Sequence, residues 1–174
     1  MTEREDIVAA VVSAAGGSLT GRVRLQKTLY LLDRLGFQSE FQYEYHHYGP
    51  YSRDLDLAVA DAKAFDKVEE IFDFRSSDGA RFSIFRAVAG DVPVDAFGGL
   101  GAERTAELVQ RFAGTNVTIL ELAATVDWLW RAEGIRDWKA EITKRKGAKV
   151  QNGRLEKAVA LLTELGLAPP EAES

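Results

Sequence analysis

The sequence predicts an α+β protein that is mainly helical, and three observations lead to this prediction. Apolar residues recur at helical spacing in several segments, as Leu25, Leu29 and Leu32 do. Two other stretches alternate apolar and polar residues beside turn signals, which is typical of β-strands. Of the 174 residues, 46% are hydrophobic and 28% are charged, the balance of an ordinary globular protein with a sizeable core.

The first half of the chain predicts three helices followed by a β-hairpin. The predicted elements are helices at about 3–15, 22–35 and 53–65 and strands at 68–74 and 81–87. Asp78-Gly79 is a strong hairpin signal between the two strands. Three helices and a hairpin follow each other in the order of a winged helix–turn–helix, with the hairpin as the wing. Residues 1–90 therefore predict a winged-helix-like module.

The second half predicts a helical bundle packed on that module. The glycine-rich residues 91–101 form the connection, residues 102–168 form the helical subdomain, and residues 169–174 are a disordered tail. Within the subdomain, Thr118 and Glu121 have the spacing of a capping box at a helix start.

The second helix also carries four basic residues between its leucines. Its apolar stripe should face the core, and charged side chains usually line the solvated face of such a helix. We therefore expect a solvated basic side formed by Arg22, Arg24, Lys27 and Arg34.

A tyrosine-rich stretch separates the second and third predicted helices. Phe41, Tyr43 and Tyr45 alternate with polar residues, which predicts a strand, and Gly49-Pro50 predicts a turn. Such a density of tyrosines is typical of core packing, then of a protein interface, and last of a surface on which bases stack. For the interface, the candidate partner-binding residues are Tyr43, Tyr45, His47, Tyr48 and Tyr51.

The charges of the third helix argue against recognition of DNA through the major groove. In a DNA-binding winged helix, the helix before the wing enters the major groove. Here the three acids of that helix outnumber Arg53 and Lys63, and acids that face phosphates are unfavourable. The acids are Asp54, Asp56 and Asp61.

A basic segment lies in the second half of a chain whose net charge is −5. Residues 139–157 include seven basic and two acidic residues. Such a segment is either a solvated face or a dock for an anion, a nucleic acid or an acidic partner. The candidate anion or nucleic-acid patch consists of Lys139, Lys144, Arg145, Lys146, Lys149 and Arg154.

The residue types give little support for catalysis. The chain has no cysteine, and its two histidines, His46 and His47, are adjacent and would point to opposite faces of a strand. There is no phosphate-binding loop and no Gly-x-Ser-x-Gly turn around a serine nucleophile. We therefore expect no enzyme, no metal site and no cofactor.

Two motifs carry a family resemblance. The segment RLQKTLYLLDRLG, followed by YGPYSRDL, resembles the YwgA-like family of winged-helix proteins from bacteria, archaea and phages. It is more distantly similar to the SocA/Panacea antitoxin domain, which has a similar LQK-LxYL helix and aromatic-Gly-Pro turn. The resemblance is clearest over residues 22–65. It implies a binding role, as a toxin-neutralising module, an adaptor or a regulator, and it supplies no catalytic motif.

Two hypotheses follow for the function. The first is a non-enzymatic binding module, antitoxin-like or adaptor, that acts through contacts with a protein partner. The alternative is a winged-helix transcriptional regulator that binds nucleic acid. No apolar run approaches the roughly 18 residues of a membrane span, and the start of the chain is unlike a secretory signal. We therefore expect a cytoplasmic protein without a membrane partner.

Overall fold

A computed structural model describes residues 2–88, 90 and 92–172, except for the side chain of residue 94. Within this part of the chain the fold is α+β, with seven α-helices and two small antiparallel sheets. The elements are α1 (Arg4–Ala14), β1 (Ser18–Thr20), α2 (Arg22–Arg34), β2 (Glu44–His46), β3 (Gly49–Tyr51), α3 (Arg53–Ala64), β4 (Val68–Phe74), β5 (Arg81–Ala87), α4 (Gly101–Ala113), α5 (Val117–Asp127), α6 (Trp138–Lys146) and α7 (Arg154–Leu165). Short 3-10 helices cover Val94–Leu100 and Gly147–Val150, and a π-helical turn covers Trp128–Ala132.

The helix α2 lies at the centre of the molecule. Its residues 25–32 are all buried, so the helix is covered on every side and not only along its leucine stripe. It packs against α4, α5 and the β2–β3 hairpin. The expected solvated basic side is wrong for Lys27, which is 1% exposed, because α5 and the β2–β3 hairpin cover that face of the helix.

The larger sheet joins the start of the chain to the β4–β5 hairpin. The strand order is β1-β5-β4, and Leu19 of β1 pairs with Phe85 of β5. The structure confirms the predicted hairpin at 68–74 and 81–87. Val68 and Phe85 are buried on its inner face, whereas Phe72 and Phe74 lie farther toward the tip and are exposed. The hairpin therefore extends beyond the core that its base covers.

The helices α4 to α7 share one core with the elements before them. The buried apolar residues form a continuous cluster that includes Val8 of α1, Leu29 of α2, Leu122 of α5 and Leu162 of α7. The connection at 91–101 is partly helical, because the 3-10 helix Val94–Leu100 leads directly into α4.

Polar caps fix the helix starts near the candidate site. The Ser52 side chain accepts a hydrogen bond from the Leu55 amide at the start of α3. Asn116 caps α5 by accepting from the amides of Thr118 and Ile119. The predicted capping box of Thr118 and Glu121 is therefore wrong, since α5 begins one residue before Thr118 and Glu121 is buried elsewhere.

The tail prediction concerns residues 169–174, of which 173 and 174 lie outside the described residues. Residues 169–172 have no helix or strand, and the Pro170 carbonyl accepts a hydrogen bond from the Trp138 indole at 3.0 Å. None of the described helices is both long enough and apolar enough to cross a bilayer.

Candidate partner-binding site

The tyrosine-rich stretch forms the small β2–β3 hairpin. Tyr45 pairs with Pro50 and His46 with Gly49, so the chain reverses at His47 and Tyr48. The predicted strand begins only at Glu44, and the predicted turn at Gly49-Pro50 is wrong by two residues, since these residues open β3. Proline is tolerated in β3 because this edge strand has only β2 as a ladder partner.

The five candidate residues, four tyrosines and His47, have different surroundings. Tyr43 packs edge-on against Tyr30 at 5.1 Å, and its hydroxyl donates to Asp33 at 2.7 Å. The Tyr51 hydroxyl donates to Asp56, and the Tyr45 ring lies under the Arg145 guanidinium at 4.7 Å. These three tyrosines are only partly accessible, so they support the hairpin from its base.

The turn itself is the exposed part of the hairpin. Tyr48 is 50% exposed, and His47 is exposed beside it, with the two rings at right angles and 6.1 Å apart. The Lys149 ammonium lies 4.9 Å from the centre of the Tyr48 ring. Of the five candidate residues, His47 and Tyr48 are therefore the ones available to a partner.

A cluster of charges holds this turn in place, and we call it the lysine cluster: Lys27, Glu121 and Lys146, which are buried, and Lys149, which is partly exposed. Lys27 Nζ donates to the Pro50 carbonyl at 2.6 Å, and Lys146 Nζ donates to the His47 carbonyl at 3.1 Å. Two buried lysines therefore fix the backbone on both sides of the exposed tyrosine.

Two lysines of the lysine cluster share one carboxylate. Glu121 is 3% exposed, and its oxygens lie 3.2 Å from Lys146 Nζ and 3.0 Å from Lys149 Nζ. Burial of an ion pair is unfavourable unless the pair is well coordinated, and here both lysines reach the same carboxylate. The sequence did not predict Lys27 and Glu121 as members of this site, because neither residue belongs to a local motif that signals burial.

The pKa of Lys27 is lowered to about 7. The main cause is burial, which disfavours the ammonium form, and the neighbouring Lys146 and Lys149 lower it further, whereas Glu121 raises it. The pKa of Lys146 is lowered as well, again mainly by burial.

The lowered pKa of Lys27 predicts that the free energy of unfolding rises with pH above neutrality. An unfolded lysine keeps its proton up to about pH 10.4, so above about pH 7 the unfolded state binds more protons at Lys27 than the folded state does. The Lys27 contribution to the free energy of unfolding should therefore rise by about 1.4 kcal/mol per pH unit. Urea titrations between about pH 7.5 and 9 should show a steeper rise for the native protein than for Lys27→Met.

Lys144→Met, at an exposed lysine, is the matched control and should leave the slope of the native protein unchanged. Parallel curves for the native protein and Lys27→Met would contradict the assigned pKa. Lys27→Met also removes the hydrogen bond to the Pro50 carbonyl. That loss lowers the free energy of unfolding of the variant, but the test compares only how the free energy of each protein changes with pH.

The six residues of the candidate basic patch do not form one surface. Arg145 donates to both Glu133 oxygens at 2.9 Å and to Glu141 at 2.8 Å, and these partners raise the pKa of its guanidinium. Arg154 donates to the carbonyls of residues 148 and 149. Lys146 and Lys149 belong to the lysine cluster, and the two exposed lysines of the patch are Lys139 and Lys144.

A second buried network joins α2 to α5 near the hairpin. Asp127 accepts from the Tyr30 hydroxyl at 2.5 Å and from Arg34 Nε at 2.8 Å, and Arg131 donates to the same hydroxyl at 3.1 Å. Burial and the adjacent Asp127 raise the pKa of Tyr30. The network aligns the helices that carry Lys27 and Glu121, so it positions the lysine cluster.

The acids of α3 are all engaged. Asp54 accepts from the Gln42 amide at 2.9 Å, Asp56 from Gln26 and Tyr51, and Asp61 from Arg4 at 2.6 Å. In the described part of the chain, no three His, Cys, Asp or Glu residues are grouped so that they could hold a metal ion.

Comparison with known proteins finds a local relationship. No known family profile matches the chain. The chain is similar to the "Uncharacterized protein YwgA" of Bacillus subtilis (strain 168), with 38% identity over 48 residues. The match spans 28% of this chain and 29% of that protein, so the chain covers less than a third of the length of this curated relative. The similarity supports, at most, a YwgA-like relationship of this one segment.

Proposed function

We propose that the chain is a non-enzymatic protein-binding module, antitoxin-like or adaptor, built on a winged-helix-like scaffold. Two features support the scaffold: α1, β1, α2, α3, β4 and β5 follow each other in winged-helix order, and β5 lies between β1 and β4. The β2–β3 hairpin is then an insertion between the second and third helices. The resemblance to the SocA/Panacea domain supports a toxin-like partner.

The observation that carries the proposal is the fixed, exposed turn at His47 and Tyr48. An exposed tyrosine on a pre-ordered backbone contributes a large contact area at little entropic cost, which is typical of interface hot spots. Lys27 and Lys146 fix the turn through the carbonyls of Pro50 and His47, on either side of Tyr48. The backbone of the turn therefore loses little conformational entropy when a partner binds.

The surface of α3 also favours a protein partner over the major groove of DNA. Its exposed face includes Leu57, which is 41% exposed. Exposed apolar side chains are suited to a protein contact, and the aspartates of the helix oppose approach to phosphates.

Nucleic-acid binding by a transcriptional regulator is the second candidate. The winged-helix order of elements favours it, and so does the exposure of Lys139 and Lys144. Two such lysines give few phosphate contacts, and the net charge of −5 opposes a polyanion. For this reason we rank it below protein binding.

Reconstitution with a purified partner tests the proposal. The partner is identified by co-purification with the tagged protein from its native cells in high salt, and binding is then measured with the two isolated proteins. Tyr48→Ala should weaken the complex by a factor of at least about 30, the effect of a hot spot of about 2 kcal/mol. Phe65→Ala removes an exposed aromatic ring outside the turn and is the control, which should bind as the native protein does.

The melting temperatures of both variants should match that of the native protein, since neither ring is buried. Nanomolar, sequence-selective binding to duplex DNA at about 150 mM salt, with no protein partner recovered, would contradict the proposal and place the regulator first.

A further inference from the structure

A cleft of about 720 Å³ opens beside the exposed turn, and we call it the hairpin cleft. It lies between the tip of the β4–β5 hairpin, the start of α2, the start of α5 and Tyr48. The volume falls within the range of sites that bind small molecules or a few side chains of a peptide. The residues that define it for the following argument are Arg24, Tyr48, Phe72, Arg81, Val117 and Lys149.

The hairpin cleft is cationic although the chain is acidic overall. Among the described residues, its lining includes one carboxylate, Glu121, and five cations: Arg22, Arg24, Arg75, Arg81 and Lys149. Three of the five lie beside a carboxylate, since Arg22 pairs with Glu70, Arg75 with Asp78 and Lys149 with Glu121. The two cations without a carboxylate partner are Arg24 and Arg81.

The two remaining arginines are held in place without a counter-ion. Arg24 donates to the carbonyls of Thr20, at 3.1 Å, and of Phe112, at 2.8 Å, and its burial lowers the pKa of the guanidinium. Arg81 lies over the Phe72 ring at 4.3 Å. In the described part of the chain neither has a carboxylate within ion-pair distance. A ligand carboxylate would supply the missing charge.

Exposed apolar side chains line the hairpin cleft together with these cations. Tyr48, Phe72 and Val117 are 50%, 44% and 37% exposed, which is high for side chains of their size. Two of the rings lie against cations of the same cleft, Phe72 under Arg81 and Tyr48 beside Lys149. A matching ligand therefore combines carboxylates with at least one large apolar group.

The edge of β5 offers backbone hydrogen-bonding groups to a ligand in the cleft. The strand extends three residues, 81–83, beyond Ile84, the last residue that pairs with β1. The Gly21 amide donates to the Ser83 carbonyl at 2.8 Å, and α2 begins at the next residue. Beyond this hydrogen bond, no strand of the described structure pairs with the β5 edge that faces away from β4. An extended peptide can pair with such an edge, whereas a nucleic-acid backbone cannot form a β-ladder.

We propose that the hairpin cleft binds an extended acidic segment of a partner protein, with carboxylates at Arg24 and Arg81 and an apolar side chain between Phe72 and Tyr48. The proposal rests on the proposed function, because it assigns the site and the chemistry of the protein partner. Single-stranded nucleic acid needs a continuous cationic track with stacking rings, and two unneutralised arginines do not provide one.

The test uses isotope-labelled full-length protein and three probes. The first is an eight-residue peptide that alternates glutamate with phenylalanine and leucine, the second has glutamine in place of each glutamate, and the third is a short oligothymidine. We expect the acidic peptide to shift amide resonances of residues 20–24, 48, 72, 81–83 and 117 and to bind more tightly than the other two probes.

Two substitutions test the assignment. Arg81→Glu and Phe72→Ala should each weaken binding of the acidic peptide by about tenfold or more. Arg104→Glu is the control, because Arg104 is an exposed arginine on α4 with an acidic partner and lies outside the cleft, so it should leave the affinity unchanged. The exposure of Phe72 and Arg81 predicts unchanged melting temperatures for both test variants.

Equal binding of the glutamine peptide, tighter binding of oligothymidine, or shifts confined to another surface would each overturn the proposal. Binding of the natural partner to the three variants distinguishes this inference from the proposed function. A partner that is lost with Tyr48→Ala but retained with Arg81→Glu and Phe72→Ala leaves the protein-binding function standing and overturns the assignment of the cleft. Loss of the same partner with all three substitutions supports both.

Discussion

Glu121→Gln should destabilise the protein by about 3–5 kcal/mol, the usual loss when one partner of a buried ion pair is removed. Glu121 is bound to both Lys146 and Lys149, and Lys146 is almost fully buried. Glutamine has nearly the same shape, so the change removes the charge without opening a cavity. The Lys146 ammonium would then be buried without a counter-ion, or it would lose its proton.

Urea unfolding of the native protein and the variant measures this loss. Glu164→Gln is the control, since Glu164 is an exposed residue that pairs with Arg111, and a surface pair contributes at most about 1 kcal/mol. A loss below ~1 kcal/mol for Glu121→Gln would show that water reaches the lysine cluster in the folded state.

Gly49→Val should cost about 2–6 kcal/mol for two separate reasons. Gly49 has φ of +91°, a conformation that costs other residues about 1–3 kcal/mol. A Cβ atom at this position would also lie 2.4 Å from Thr125 Oγ1, and overpacking of this kind typically costs about 1–3 kcal/mol. Thermal and urea unfolding of the variant measure the sum.

Gly79→Val separates the two causes. Gly79 also has positive φ, +71°, but a Cβ atom there would meet nothing within 4 Å. This control should therefore show the backbone strain alone and destabilise less than Gly49→Val. Equal losses for the two variants would show that the side chain of Thr125 moves aside at little cost.

Local signals were sufficient for the regular elements. The β4–β5 hairpin was predicted at its observed bounds, because Asp78-Gly79 and the alternation of apolar residues both act over a few neighbouring positions. The helices α1, α2 and α3 were predicted within a residue or two, since their apolar periodicity ends at glycines or begins at a capping side chain.

The lysine cluster could not be predicted from the same signals. Lys27 has the sequence surroundings of a surface lysine, and Glu121 has the spacing of a capping residue. Their burial depends on how α2 and α5 cross beneath the β2–β3 hairpin, which no short-range pattern encodes. Asn116 caps α5, and the Glu121 side chain pairs with the lysines instead.

The aromatic stretch was predicted in part. The sequence singled out His47 and Tyr48, which are exposed, together with Tyr43, which is packed on Tyr30. Tyrosine composition cannot distinguish these positions, because each ring suits both a core edge and an interface. The hairpin register decides which rings are exposed, and it places Gly49 against Thr125.

The pairing of β1 with β5 has a consequence for the rate of folding. Leu19 and Phe85 are neighbours in the sheet, but α2, the β2–β3 hairpin and α3 all lie between them in the chain. Closing so long a loop is entropically costly before these helices have packed, so strands of this kind associate late. The β4–β5 hairpin can form by itself in microseconds, whereas β1 should join it only in the final, rate-limiting condensation of the core.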